Sequence, residues 1–235
     1  MNRLPIVAIL FLATPAAAQS IGPSAQLSTY HVKPGADAAF LAAYREHLAW
    51  HMAARDRWPW YVWVVASGER AGTYLGGTFD HPWAEQERRP RPAADRANHE
   101  ATIDRHTTGS SPRLLERRRD LGGELASFES TFLALIEVRV RPGDRAAFER
   151  AIKQVPGRRE HAHAWFEVVS GDEHFTYLAF VALDRRADLP AVSPHRLGLL
   201  PREGVASARS ELLQLLPDTS TCKRAQTRCL GVVPR

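Results

Sequence analysis

Cysteine is nearly absent from this chain of 235 residues: Cys222 and Cys229, both near the C-terminus, are the only two. That excludes a disulfide-built scaffold and any centre made of four thiolates. In an oxidising compartment the pair reads as one local disulfide pinning the tail; the alternative, half of a metal site, lacks a neighbouring His. Also missing are a Gly-rich phosphate loop, a Ser-His-Asp nucleophile context and a zinc-hydrolase helix motif. Acidic excess is missing too. The formal net charge is +5, with the densest basic runs at Arg88-Arg89-Pro90-Arg91 and Arg117-Arg118-Arg119. Such runs read as solvated loops, so the charge implies attraction to anionic surfaces or ligands at most, and no nucleic-acid partner is expected.

The longest apolar run, Leu4 to Leu12, is too short to span a bilayer and follows Arg3. Ala16-Ala17-Ala18 then offers small residues for a signal peptidase, with cleavage expected before Gln19. Residues 1–18 are therefore read as a signal peptide, and the protein as periplasmic or secreted.

What the chain does have is self-similarity. Val32-Lys33-Pro34-Gly35-Ala36-Asp37-Ala38-Ala39-Phe40 returns as Val140-Arg141-Pro142-Gly143-Asp144-Arg145-Ala146-Ala147-Phe148, offset by 108 (140 − 32). Val65-Ala66-Ser67-Gly68-Glu69 with Thr73-Tyr74-Leu75 returns as Val168-Val169-Ser170-Gly171-Asp172 with Thr176-Tyr177-Leu178, offset by 103 (168 − 65). Leu114-Leu115-Glu116 with Asp120 matches Leu212-Leu213-Gln214 with Asp218, offset by 98 (212 − 114). A shrinking offset is what two copies of one module show after losing different loop residues.

Each copy reads β-α-β-β-α-β. In the first, alternation through Leu27–Val32 predicts a half-buried strand, and Pro34-Gly35 ends it. Asp37 to about Arg55 is helical by spacing, with Phe40, Tyr44, Leu48 and His51 or Met52 on one stripe. Trp60–Ala66 and Gly72–Phe79 form a hairpin, Trp83 to about Arg105 is helix-compatible after an interruption at Pro90 and Pro92, and Pro112–Arg118 is a short strand. In the second, strands are expected at Phe132–Val140, Ala164–Ser170, Phe175–Leu183 and Ser210–Leu216. A helix is expected from Asp144 to about Val155, and a weak helical or irregular piece over Arg185–Gly204. The expected units are 25–120, a linker at 121–130, 131–217, and a tail at 218–235.

This element order, with its strand-Pro-Gly-helix junctions, resembles the dimeric α/β-barrel superfamily with both halves fused in one polypeptide. The resemblance covers nearly all of the chain after residue 18 and takes in antibiotic-biosynthesis-type monooxygenases, NIPSNAP-like proteins, stress-responsive barrel proteins and the haem-binding chlorite dismutase group. It implies an α+β fold in which two tandem ferredoxin-like units form an intrachain pseudo-dimeric barrel. A monomer with an internal pseudo-twofold, or a weak homo-oligomer, would follow.

The repeat assigns faces. Tyr30 and Val32 match Val138 and Val140 as the side packed under helices, leaving Thr29 and His31, and Glu137 and Arg139, on the other. Trp63 and Val65 match Phe166 and Val168, also taken as helix-packed, leaving Trp60, Val62 and Val64, and His163, Trp165 and Glu167. His31, Glu137, Arg139, His163, Trp165 and Glu167 are accordingly the candidate ligand pocket inside the barrel, either as a self-satisfied ion-pair network or as a site for a small molecule. In the second case Arg139 would hold an anionic group and a Glu or His would move a proton. His47 and His51, four apart on a helix, can share a metal, but no third ligand is identifiable and a buried structural histidine is the alternative. Trp50, Trp58, Trp60, Trp63 and Tyr61 read as core, or as the wall of a pocket for a flat ligand. No resident cofactor is expected from motifs; the resemblance admits haem, with His51 or His174 as axial ligand. The functional expectation is an exported small-molecule-binding barrel, with a cofactor-independent monooxygenase-like or haem-binding enzyme as the alternative.

Overall fold

A computed structural model describes residues 21–155, 162–172, 175–192, 204–222, 229 and 231–232. The expected signal peptide and His174 lie outside these residues. So does the side chain of Cys222, on which the expected disulfide depends.

The first half contains β1 (Ser24–Val32), α1 (Asp37–Ala53), β2 (Tyr61–Ser67), β3 (Tyr74–His81), the short α2 (Trp83–Glu87), α3 (Pro92–Thr102) and β4 (Thr107–Arg117). The second contains β5 (Phe132–Val140), α4 (Arg145–Lys153), β6 (His163–Ser170), β7 (Phe175–Leu183) and β8 (Val205–Leu215). β9 (Thr221–Cys222) and β10 (Gly231–Val232) pair in the tail. At both strand-to-helix junctions the glycine takes a left-handed backbone, Gly35 at φ 76° and Gly143 at φ 88°, a turn conformation that a side chain would strain.

The eight long strands close into one barrel in the order β1-β3-β2-β8-β5-β7-β6-β4, every pair antiparallel. Within it, β4-β1-β3-β2 and β8-β5-β7-β6 are the same four-strand order twice, joined through β2–β8 and β4–β6. β4 and β8 are longer than the apolar pattern predicts. Their exposed stretches of small and polar residues, Thr108–Pro112 and Ala206–Ala208, are held as strand by ladders to β1 and β5 rather than by side-chain burial.

Three apolar clusters divide the molecule. One fills the barrel and draws on all eight strands, including Leu27, Trp63, Leu75, Phe79, Leu135, Phe166, Phe180 and Leu213. The others lie outside it. Tyr30, Val62 and Tyr74 pack under Phe40, Tyr44 and Leu48 of α1, and Ile136, Val138, Trp165 and Tyr177 pack under Phe148 and Ile152 of α4. The expected faces therefore hold for β1 and β5 but are reversed for β2 and β6: Trp63, Val65, Phe166 and Val168 point into the barrel, and Val62 and Trp165 face the helices. β2 is apolar on both faces, so period-two patterning carries no phase there; β6 does alternate, His163 and Glu167 against Ala164, Phe166 and Val168, but its polar face is the one outside the barrel.

The connection between the halves is part of the core. Leu125 and Phe128 enter the barrel cluster, and Phe128 stacks on Phe79 with ring centroids 3.8 Å apart and planes 11° from parallel. Arg117, itself buried, holds this segment by donating from Nη2 to the Leu125 carbonyl (3.2 Å) and from Nη1 to Asp80.

Candidate functional site

The six residues expected to line one pocket do not meet. Glu137 points into one mouth of the barrel, where its carboxylate accepts from Arg113 (2.7 Å) and Arg209 (2.8 Å), with Arg139 at 3.9 Å and largely exposed. His31 is exposed at the same face. The mouth is further closed by Arg70, which grips Glu211 and donates to Thr29 Oγ1 (3.1 Å). Two guanidinium groups outweigh the burial that would raise Glu137 and hold its carboxyl below its usual range. Glu167 lies on the other surface of the sheet, bonded by Arg118 (2.6 Å) and Arg145 (2.8 Å). Trp165 packs edge-on to Phe148 there, and His163 sits against Gly123 of the connection. Two separate ion-pair networks replace the single polar lining, and the barrel between them is filled with aromatic rings.

The open site is elsewhere, between α1, α3 and the outer face of the first half's sheet. A cleft of about 370 Å³ is lined by Tyr30, Tyr44, His47, His51, Trp60, Asp95 and His99, among others. Its construction starts from α1, whose buried stripe Phe40, Tyr44, His47, Leu48, His51 follows helical spacing and faces the sheet. Gly76 on β3 makes room for this packing: a Cβ there would collide with the hydroxyl of Tyr44 and crowd the ring of Tyr30.

At its C-terminus α1 ends in a Schellman turn. Arg55 takes the left-handed position (φ 57°), its N–H donating to Met52 O and that of Asp56 to His51 O. The turn folds the Asp56 carboxylate back over the helix, where Oδ2 accepts from Nδ1 of His51 at 2.9 Å and Oδ1 from the Trp58 N–H at 3.0 Å. Burial opposes ionisation of Asp56, but these bonds prevail and its pKa lies below the ordinary value.

α3 supplies the facing wall. Arg91, another non-glycine residue in the left-handed region (φ 51°), precedes Pro92 and sets the helix start. Asp95, Asn98 and His99, at i, i+3 and i+4, then share the face turned to α1. Asn98 Oδ1 stands 2.7 Å from His47 Nδ1. The two Nε2 atoms lie 3.1 Å apart, and Asp95 Oδ1 is 3.4 Å from that of His47 and 3.3 Å from that of His51. The second Asp95 oxygen accepts from Arg89 Nη2 at 2.8 Å, and the Arg89 guanidinium is sandwiched over Trp58 and Trp60. Burial pushes the pKa of His47 down to about 4, so its imidazole is neutral at physiological pH.

Also on the cleft lining, His99 Nδ1 is 3.2 Å from Asp104, and its Nε2 faces the Tyr30 hydroxyl at 3.4 Å. Burial raises the Tyr30 hydroxyl to about 12 and Tyr44 well above its ordinary value, so both remain protonated donors.

The i, i+4 spacing of His47 and His51 was the legible part of this site. Asp95, Asp56, Asn98 and Arg89 were not anticipated, although the spacing of Asp95, Asn98 and His99 on a predicted helix is a signal of a common polar face. His51 does not fit an axial haem ligand: that role needs an open approach to its Nε2, which His47 Nε2 at 3.1 Å and Asp95 Oδ1 at 3.3 Å already crowd. The second half has no equivalent of the pair, since Val155 stands at the repeat position of His47.

No protein-family model and no curated protein matches the sequence. Solved structures do match the fold. The putative monooxygenase of Fusobacterium nucleatum subsp. nucleatum is 12% identical with a TM-score of 0.59, covering 84% of this chain and 94% of that one. That of Lactobacillus acidophilus NCFM is 11% identical with a TM-score of 0.56, over 83% and 94%. A chlorite dismutase variant of Candidatus Nitrospira defluvii, solved with cyanide, is 9% identical with a TM-score of 0.56, over 85% and 93%. Likeness at such identities is likeness of fold alone. Among the described residues no helix is long and apolar enough to cross a membrane. The chain shares with these proteins an α+β fold, here an eight-stranded antiparallel barrel closed within a single polypeptide and flanked by helices.

Proposed function

We propose that this protein is a barrel enzyme that binds a small, flat, hydroxyl-bearing molecule in the helix–sheet cleft of its first half and acts on it there. One observation carries the reading: the cleft gathers Tyr30, Tyr44, His47, His51, Asp95 and His99 around one open space, while the barrel interior is filled. A volume of about 370 Å³ lies within the range of small-molecule sites. Trp60, Tyr30 and Tyr44 offer ring faces, and Gln26, Ser28 and Ser110 offer polar groups at the sheet floor. His99, oriented by Asp104, is a proton acceptor on the cleft lining, and Tyr30 is the donor beside it.

The fold likeness to monooxygenase-named proteins favours an oxygen-consuming reaction. Export remains part of the proposal on the strength of the N-terminal segment, as does a duplicated origin of the two halves on the strength of the repeat. The test is oxygen uptake with a panel of small phenols and enols, paired with ligand-observed NMR. Binding that is lost in Tyr44→Trp, which fills the cleft, and turnover that is lost in His99→Ala, support the reading. A panel that neither binds nor turns over, or that binds equally well when the cleft is filled, overturns it.

A further inference from the structure

We propose that His47, His51 and Asp95 are a three-ligand site for one divalent transition-metal ion of the class that accepts imidazole and carboxylate together, such as Fe²⁺ or Zn²⁺. The inference deepens the function proposed above by giving the same cleft a reactive centre.

An ionised carboxylate only accepts, so His51 must carry a proton on Nδ1 to bond Asp56 Oδ2, and His47 must do the same to bond Asn98 Oδ1. A neutral imidazole protonated at Nδ1 presents a lone pair at Nε2. Both Nε2 atoms and Asp95 Oδ1 therefore point electron pairs at one spot, with mutual distances of 3.1, 3.3 and 3.4 Å. Three converging electron-pair donors repel one another unless a cation or a shared proton lies between them.

The dimensions suit a metal. With bonds of about 2.1 Å, edges of this length subtend about 95–108° at the ion, between octahedral and tetrahedral angles. The ion would stand about 1 Å out of the plane of the three donors, leaving the opposite positions open. Two imidazoles and one carboxylate on one side, with open positions on the other, is the donor set of non-haem iron and catalytic zinc centres.

The surroundings complete a ligand's outer support. Each imidazole is oriented by an oxygen on its far nitrogen, Asp56 or Asn98, as metal-bound histidines are. Arg89 occupies the second oxygen of Asp95, so the carboxylate presents Oδ1 alone to the site and more coordination positions stay free. Asp95 alone brings negative charge to the position itself, with Asp56 behind the His51 ring and the Arg89 guanidinium behind Asp95. The open side gives onto the cleft beside Tyr44 and Trp60, where the proposed substrate would lie.

The test uses the full chain, stripped with a chelator, and needs no organic ligand. Titration with Zn²⁺ by calorimetry, and with Co²⁺ by visible absorption, should give one site per chain. His47→Ala, His51→Ala and Asp95→Asn should each abolish stoichiometric binding, Asp56→Asn should weaken it 10- to 100-fold, and Glu100→Gln on the rim should leave it unchanged. Circular dichroism of each metal-free variant checks folding, and Asp95→Asn, which retains size and shape, is the variant expected to fold as the parent does. A folded parent protein that binds no Zn²⁺ or Co²⁺, or binds it equally well in Asp95→Asn, overturns the proposal and assigns the cluster to a shared proton. Retained phenol binding in that event would leave the cleft function standing, whereas metal binding without any organic ligand would leave the metal site standing alone.

Discussion

Truncating Phe128 to alanine should destabilise the whole barrel even though the residue belongs to the connection between the halves. Its ring is almost wholly buried, stacked on Phe79 at 3.8 Å and set edge-on to Phe180 at 5.6 Å. A buried phenyl removes roughly 150 Å² of apolar surface from water, about 4 kcal/mol at 25 cal/mol/Å². Alanine retains the share of its β-carbon, but the void left beside Phe79, Phe166 and Phe180 forfeits packing that the rigid strands cannot recover. The two effects together place the loss at about 3–5 kcal/mol, or about 10 °C in Tm for a chain of this size. Urea unfolding of Phe128→Ala against the parent measures it. A loss below about 1 kcal/mol would mean that the connection is a solvated strap and the barrel mouth is open, which would return the barrel interior to consideration as a binding site. Zn²⁺ affinity measured on the same variant should be unchanged, because Phe128 belongs to the barrel cluster and not to the one beneath α1.

Other outcomes follow from the same geometry. Glu137→Gln removes the closest counter-charge of both Arg113 and Arg209, leaving them only the more distant Asp172 and Glu69, each at 3.7 Å, and should cost about 2–3 kcal/mol in chemical denaturation; a neutral result would contradict the ion-pair account of that mouth. In Glu149, burial alone would raise the pKa, but bonds from Arg118, Tyr177 and Arg145 bring it from 4.5 down to about 2. Its contribution is therefore complete above pH 4.5 and is lost as pH falls toward 2. After allowance for solvent screening this amounts to about 1–2 kcal/mol, and Glu149→Gln should flatten the dependence of Tm on pH in that window. Gly76→Ala should displace Tyr44 and Tyr30, lowering stability by about 1–3 kcal/mol and abolishing small-molecule binding in the cleft, both readable on one purified variant.

How much of this could be read from the chain depended on where the pattern was asymmetric. β1 alternates Thr29 and His31 with Tyr30 and Val32, and its faces were legible; β5 followed through the repeat. β2 runs Tyr61-Val62-Trp63-Val64-Val65, apolar on both sides because it is buried on both, so the choice of face was unconstrained and came out reversed. That reversal is what assembled a pocket from Glu137 and Glu167, which lie on opposite surfaces of one sheet. Each glutamate has its own arginines, but those partners, Arg113, Arg209, Arg118 and Arg145, come from other elements, and only closure of the barrel brings them in. The histidine pair was legible because i, i+4 spacing fixes proximity within one helix. Its carboxylate was not, because Asp95 belongs to a helix whose docking against α1 depends on tertiary packing alone.

X-ray absorption at the zinc edge of the Zn²⁺-loaded protein tests the histidine–aspartate site most directly. A metal held by His47, His51 and Asp95 gives nearest neighbours of nitrogen and oxygen at about 2.0–2.1 Å, with the longer-range scattering of two imidazoles and no sulfur, and the signal disappears in His47→Ala/His51→Ala. A sulfur shell would place the metal at the C-terminal cysteines, and a spectrum of hydrated ion would leave the histidine cluster without a metal; either contradicts the account.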